Sequence, residues 1–406
     1  MTVSSNESID VLVGVTAARG FVAGGLACGV KAREGALDLG LVLSDRPATA
    51  AGVFTRNRAA AAPVLLCRNH LSDGAATAVV VNSGNANACT GQRGKHDALA
   101  MARAVSARFG LAPTEVLVLS TGVIGVPLSI DRVLVGIAHI TPTREDGHTF
   151  AQAIMTTDTR EKVMGASCLV GGVEVLIGGA AKGAGMMHPN MATLLAILTT
   201  DAAVESTYLQ AALGRAADAS FNLISVDGDT STNDSLVLLA NGASGAPLLD
   251  ADHPDAPAFE HALREVCVSL ARQVVRDGEG ARTLIEARVI GARSEADARL
   301  AALAIVSSSL VKTAVFGGEP NWGRVLCAAG YSGADLDPDR ATLLLEDICL
   351  LRWGEAQEYD RTAASQALLL PDVHFSLDLG LGDGRAVAWG CDLSYDYVKI
   401  NAEYTT

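Results

Sequence analysis

Short apolar runs alternate with amphipathic helical stretches along nearly all of this 406-residue chain, and that alternation limits the fold more than any other feature. The runs at 79–81, 116–119 and 303–306 contain only aliphatic residues and alanine, and they predict buried strands. Helical periodicity is clearest at two places. At 97–109, Leu99, Ala102, Val105 and Phe109 share one face and Gly110 supplies a stop. At 257–275, Phe259, Leu263, Val266, Leu270 and Val274 form a stripe ended by Asp277 and Gly278. Strands and helices alternating in this way predict an α/β or α+β class.

With 49% apolar residues the chain can bury a large core, and its length corresponds to two or three domains at about 150 residues each. The Pro- and Asp-rich stretch at 246–257 and the polar stretch at 292–297 are the expected linkers, which leaves a smaller C-terminal unit. A net charge of −14 argues against a nucleic-acid surface. The most apolar stretches, 11–30 and 163–181, are broken by Arg19, by Glu174 and by glycines, so no membrane span is expected. The first ten residues are acidic where a signal peptide is basic. The eight cysteines are never closer than 22 positions, which predicts no zinc or disulfide framework and fits a reduced, cytoplasmic chain.

Several motifs fail on inspection. The oxygen-rich run from Asp227 to Asp234 has Thr232 and Leu238 where a calcium-binding EF-hand needs Gly and Glu, so it reads as a polar turn that feeds a site or holds the backbone. Gly183 and Gly185 lack a third glycine for dinucleotide binding, because position 188 is His. Gly94-Lys95 is followed by His96, so there is no phosphate-binding P-loop, and no G-x-S-x-G elbow occurs. No metal and no resident cofactor are expected.

The unusual segment runs from Ala180 through Lys182, Gly183, Gly185 and Pro189 to Ala192 and Thr193, and an apolar run follows at once. Read from the residues alone, it is either a loop entering a core strand with Thr193 as a turn residue, or a place where Thr193 becomes a chain terminus. In the second case Thr193 carries its own base, because an N-terminal threonine is activated by its α-amine. That amine has a reference pKa of about 7.7–8.0, near the value a general base needs.

The segment 182–193 resembles the self-cleavage site of the ornithine acetyltransferase (glutamate N-acetyltransferase) family, whose signature is close to Lys-Gly-Ser-Gly-Met-x-x-Pro-Asn-Met-Ala-Thr. Ala184 stands where the family usually has Ser. The resemblance extends in order over the whole chain, through blocks at 54–57, 62–64, 81–88, 120–125, 155–159, 225–231, 277–281, 312–314, 320–324 and 391–406. After Gly280 the family commonly reads Ala-Thr-Lys, whereas Ala281, Arg282 and Thr283 stand here, so neither Arg282 nor Thr283 is given a role.

The resemblance implies cleavage between Ala192 and Thr193 into chains 1–192 and 193–406, two copies of each forming an α2β2 heterotetramer. It implies a ping-pong acetyl transfer from N-acetylornithine to glutamate through acetyl-Thr193, in the acetyl-recycling route of arginine biosynthesis. Thr121 (hydroxyl) and Gly122 (backbone N–H) match the oxyanion donors. Thr156, Lys182, Thr193, Glu279, Asn401 and Thr406 match the substrate-binding positions, with Thr157 adjoining Thr156. Family members divide into those that also use acetyl-CoA as a donor and those that do not, and no residue here decides between them. The implied fold is an αββα-like layered sandwich of the self-processing D-aminopeptidase type over 1–285, a smaller α/β domain over 286–390, and a tail over 391–406 that returns to the active site. Tyr395, Tyr397, Val398 and Ile400 make that tail apolar, which predicts that it docks. Two rivals remain: an aminopeptidase or amidase with water as acceptor, and an unprocessed ligand-sensing chain. A paralogue in specialised metabolism would keep every motif named.

Overall fold

The computed structural model describes residues 14–188 and 194–403. Its layering follows from one strand, Leu195–Thr200, all six residues of which are buried. Successive side chains on a strand point to opposite faces. Leu195 and Ile197 enter one core with Val79, Val81, Leu117 and Leu119, whereas Ala196 and Leu198 enter another with Leu209 and Phe259. The strand therefore lies between two apolar layers.

It is the middle strand of a five-stranded sheet, ordered Thr49–Phe54, Ser235–Ala240, Leu195–Thr200, Val173–Lys182, Lys162–Val170. Ser235–Ala240 runs parallel to Leu195–Thr200, and every other pair is antiparallel. A four-stranded sheet, ordered Phe21–Leu26, Leu39–Ser44, Ala78–Asn85, Val116–Val123, packs face to face with it. Helices Gly91–Phe109 and Ile130–His139 cover the outer face of the four-stranded sheet, where Met101, Val105, Val133 and Ile137 meet Leu39, Leu41, Val80 and Val118. Helices Ser206–Asp218 and Ala256–Arg276 cover the outer face of the five-stranded sheet. The order helix, sheet, sheet, helix is the αββα sandwich that the resemblance implies.

A third sheet has seven strands, ordered Glu355–Ala356, Ile348–Arg352, Thr342–Leu345, Asp372–Asp378, Leu284–Ala292, Gly384–Cys391, Ile224–Ser225. Its core is continuous with that beneath the five-stranded sheet.

The expected elements at 79–81, 116–119, 97–109 and 257–275 are present, with one notable extension: the first of the two helices begins at Gly91, because its opening turn is polar and hides the periodicity. The run at 303–306 is a correction. It belongs to helix Glu295–Ser307, in which Ala298, Ala301, Ala302, Ile305 and Val306 are buried. Alanines supply most of that buried face, so the sequence lacks the contrast that marks an amphipathic helix. The stretch 246–257 is a packed loop rather than a bare linker, since Leu249 is fully buried and its N–H donates to Ala203 O at 2.8 Å.

Candidate active site

Strands Val116–Val123 and Val173–Lys182 belong to different sheets and end at the same place, beside a cavity of about 1010 Å³. Thr121, Gly122, Thr156, Lys182, Glu279 and Asn401 all line it, and Thr157 does too. Six positions chosen from five separate sequence blocks therefore share one chamber. Ala192, Thr193 and Thr406 lie outside the described residues.

Gly122 sits where the two parallel strands Ala78–Asn85 and Val116–Val123 pair irregularly. Its φ of +131° and the position of Gly84, whose carbonyl carbon would lie 2.3 Å from an added Cβ, admit only glycine. Thr121, just before it, is buried. The strand end is fixed by Asn233, whose Nδ2 donates to Ala86 O at 2.6 Å and to Ser120 O at 2.8 Å, tying the two sheets together.

Lys182 is also buried, and its Nζ donates to Thr121 Oγ1 at 3.1 Å. Burial lowers its pKa, and nearby Lys162 adds to that, while Asp158, Asp234 and Glu279 oppose it. Asp158 organises this corner. Its Oδ2 accepts the Thr156 N–H at 2.8 Å, and its Oδ1 accepts Lys162 Nζ at 2.5 Å and the Gly183 N–H at 2.7 Å. Burial alone would push its carboxyl up, but the Lys182 and Lys162 ammonium groups and these hydrogen bonds outweigh it and hold the pKa at about 2. Lys162 is shared with Asp277 at 2.5 Å.

Glu279 receives the Asn401 side-chain amide on Oε2 at 2.8 Å, and its own N–H donates to Ala184 O at 2.8 Å. Gly185 makes that approach feasible, since a Cβ there would stand 2.6 Å from the Glu279 carboxyl. Gly185 thus serves close packing around the cavity. Further along, Asp227 accepts the N–H groups of Met186 at 2.5 Å and Met187 at 2.7 Å. Beyond the segment, the Leu194 N–H donates to Asp234 Oδ1 at 2.9 Å. Asp234 is fully buried, and burial pushes its carboxyl well above the ordinary range.

The tail docks, though for a different reason than its apolar content suggests. Helix Tyr395–Glu403 buries no residue, and Tyr395 and Val398 are 82% and 63% exposed. Polar contacts hold it beside one aromatic one, the Tyr395 ring edge-on to Phe316 at 5.4 Å: Asn401 on Glu279, Ser394 Oγ donating to Gly280 O at 2.6 Å, and Arg282 paired with Asp396 at 3.1 Å.

Asp227 and Asp234 end the run read as a polar turn that feeds a site or holds the backbone, and they do hold it, on the glycine-rich segment and on Leu194, whereas nothing in the sequence marked Asp158 as the residue that fixes Thr156. The wall formed by residues 30–37 carried no signal either. It is set by buried Asp38, which accepts the N–H groups of Cys28 and Val30 at 2.6 Å and of Lys31 at 3.0 Å.

The chamber offers a buried cation, a carboxylate, hydroxyls and an amide within one small volume. That set complements a small ligand carrying both charges and an acyl group.

The ArgJ family matches residues 22–406. The arginine biosynthesis bifunctional protein ArgJ of Symbiobacterium thermophilum is 52% identical over 398 residues, covering 97% of this chain and 98% of its own. Its counterpart from Dehalococcoides mccartyi is 48% identical over 403 residues, covering 98% of this chain and 100% of its own. The crystal structure of arginine biosynthesis bifunctional protein ArgJ from Bacillus halodurans matches with a TM-score of 0.50 and 43% identity, over 51% of this chain and 97% of that one. With a family match over nearly its whole length and relatives near half-identical across it, this chain belongs to the ArgJ family.

Proposed function

We propose that this chain is a glutamate N-acetyltransferase of arginine biosynthesis, which moves the acetyl group of N2-acetyl-L-ornithine to L-glutamate through acetyl-Thr193. The observation that carries the reading is the gathering of Thr121, Gly122, Thr156, Lys182, Glu279 and Asn401 around one cavity, at the segment that leads to Thr193. In the maturation step the Thr193 hydroxyl attacks the Ala192 carbonyl, and water opens the resulting ester to leave Thr193 as a free terminus. The solved Bacillus halodurans chain covers half of this one yet nearly all of itself, the share expected of one half of a cut precursor.

In the first half-reaction the Thr193 α-amine takes the hydroxyl proton as the oxygen attacks the acetyl carbonyl. Negative charge builds on the carbonyl oxygen, with the Thr121 hydroxyl and the Gly122 N–H as its donors; one such donor is worth about 2.7–4 kcal/mol. The C–N bond breaks, the α-ammonium returns its proton to the departing amine, and ornithine leaves. Glutamate then attacks the acetyl ester by the same path in reverse. Lys182 meets a substrate carboxylate, Glu279 pairs with the side-chain ammonium of ornithine, and Thr156, Asn401 and Thr406 supply hydrogen bonds. The processed chains assemble as an α2β2 heterotetramer in the cytoplasm, with 1–285 as the catalytic domain and 286–390 as the smaller one. The relatives' name, bifunctional, supports a second activity in which acetyl-CoA acetylates glutamate.

N-terminal sequencing of the purified protein with an acetyl-exchange assay tests this. Two fragments are expected, one beginning at Thr193-Leu194-Leu195, with ornithine formed in step with N-acetylglutamate. T193A should give a single uncut chain of 41.7 kDa with no turnover. Cleavage of T193A at the same bond, or release of free acetate in place of transfer, would overturn the reading.

A further inference from the structure

Lys182 was matched to a substrate-binding position, yet its hydrogen bond goes to a neighbour within the protein. Among the described residues its Nζ makes one side-chain hydrogen bond, to Thr121 Oγ1 at 3.1 Å. An ammonium group has donors and no acceptor, so at this contact the threonine oxygen must accept. A hydroxyl carries a single proton. With its oxygen engaged by Lys182 on one side and the cavity on the other, that proton is directed at whatever the cavity holds.

Charge strengthens the effect. No ion pair involving Lys182 occurs among the described residues; the nearby carboxylate Asp158 is paired instead with Lys162 at 2.5 Å. Asp158, Asp234 and Glu279 attract the Lys182 charge from beyond ion-pair contact, and the hydrogen bond brings that charge directly onto Thr121, in a buried setting where charges act strongly. Hydrogen bonds that involve an ionised group are roughly twice as strong as neutral ones. An accepted charge-assisted bond also makes the hydroxyl a better donor in turn.

We propose that Lys182 is a positioning residue for acetyl transfer: it aims the Thr121 proton at the developing oxyanion and supplies positive charge behind it. This rests on the acetyl-transfer reading above and adds a role that substrate binding does not contain. If Lys182 only held a substrate carboxylate, it would act on substrate affinity and independently of Thr121. Acting through Thr121, it works in the transition state, and its contribution vanishes when the hydroxyl is gone.

A double-mutant cycle decides between these. The kcat and KM for transfer from N-acetylornithine to glutamate are measured for wild type, T121V, K182Q, K182R and T121V/K182Q. T121V is expected to lower kcat about 10²–10³-fold, the scale of one lost oxyanion donor. K182Q should lower kcat at least tenfold, over and above the rise in KM from the lost carboxylate contact, and K182R, which keeps the charge, should recover part of that loss. The double variant should fall within threefold of the worse single one. Losses that multiply in the double variant, or a K182Q effect confined to KM, would overturn the inference while leaving acetyl transfer intact. T121V at the wild-type rate would do the same. No turnover by the wild type would remove the acetyl-transfer reading and this inference together.

Should neutral residues at 182 prevent folding, the ratio of wild-type to T121V kcat across pH reads the same coupling. Asp158, Lys162, Asp234, Glu279 and Lys31 face Lys182 and are common to both proteins, so their direct effects cancel in the ratio. The ratio should fall as pH rises and Lys182 loses its proton. A ratio that stays flat would refute the proposal.

Discussion

The Asn401 side-chain amide donates to Glu279 Oε2 at 2.8 Å, across 122 positions of sequence, and so brings the end of the chain to the cavity wall. The helix that carries Asn401 buries nothing. Removing residues 401–406 should therefore leave the core intact and damage the site. A hydrogen bond to a charged group is worth about 1.5–3 kcal/mol, so KM for N-acetylornithine is expected to rise about tenfold or more. The melting temperature should move by less than about 2 °C, as little core is lost. Calorimetry beside steady-state kinetics checks this, and a large drop in melting temperature at constant KM would make the tail structural.

Asp227 holds the N–H groups of Met186 and Met187, which lead toward the Ala192–Thr193 bond. In D227A these two hydrogen bonds are lost, which loosens the chain ahead of the scissile bond, although the Val226 N–H still reaches Met187 O at 2.9 Å. Cleavage is expected to slow about tenfold or more, since an attack geometry misplaced by an ångström loses rate on that scale. The fraction of uncut chain on a denaturing gel against time after synthesis measures it. Cutting at the wild-type rate would remove Asp227 from maturation.

Gly122 combines a positive φ with a neighbour that leaves no room for a Cβ. G122A should cost about 3 kcal/mol or more from backbone strain and overpacking together. Thermal unfolding reads the loss. A variant as stable as wild type would mean that the two strands separate readily at this point.

Asp158 contributes to stability in a pH-dependent way. Its carboxyl titrates at about 2 in the folded chain against 3.8 for an unperturbed one, so the folded state holds the proton less tightly. The stabilisation is complete above about pH 4 and is lost as pH falls toward 2. A shift of that size corresponds to on the order of 2 kcal/mol. Replacement by Asn leaves Lys162 and Lys182 without that countercharge, so D158N should be less stable at neutral pH, and its deficit should shrink as pH falls through this range. Chemical denaturation at a series of pH values tests it, and a deficit independent of pH would assign the stabilisation to packing alone.

The strands and helices with strong periodicity could be read from the sequence because each carries its own contrast of apolar and polar residues. Helix Glu295–Ser307 could not, since alanine supplies much of its buried face. The site was legible where a motif named a residue: Thr121, Lys182 and Glu279 come from three separate blocks and meet at one cavity. What stayed hidden were the residues that do the holding. Asp158 and Asp38 look like ordinary turn aspartates, and only the fold shows the amides that converge on each of them. The tail was expected to dock through apolar burial, but the helix exposes Tyr395 and Val398 and is held by hydrogen bonds and one edge-on contact of Tyr395 with Phe316, a pattern that composition does not carry.

The strand order of the five-stranded sheet bears on what a broken Ala192–Thr193 bond leaves behind. Leu195–Thr200 and Ser235–Ala240 come from the C-terminal side of that bond, and they lie between Thr49–Phe54 and Val173–Lys182 from the other side. Each fragment thus inherits an unfinished sheet, with the missing members locked into the other. Subunits made by such a cut would not be modules that found each other. They would be the two ends of a single folding event, and mixing separately synthesised halves would ask them to weave a ladder that an intact chain closes before any cut.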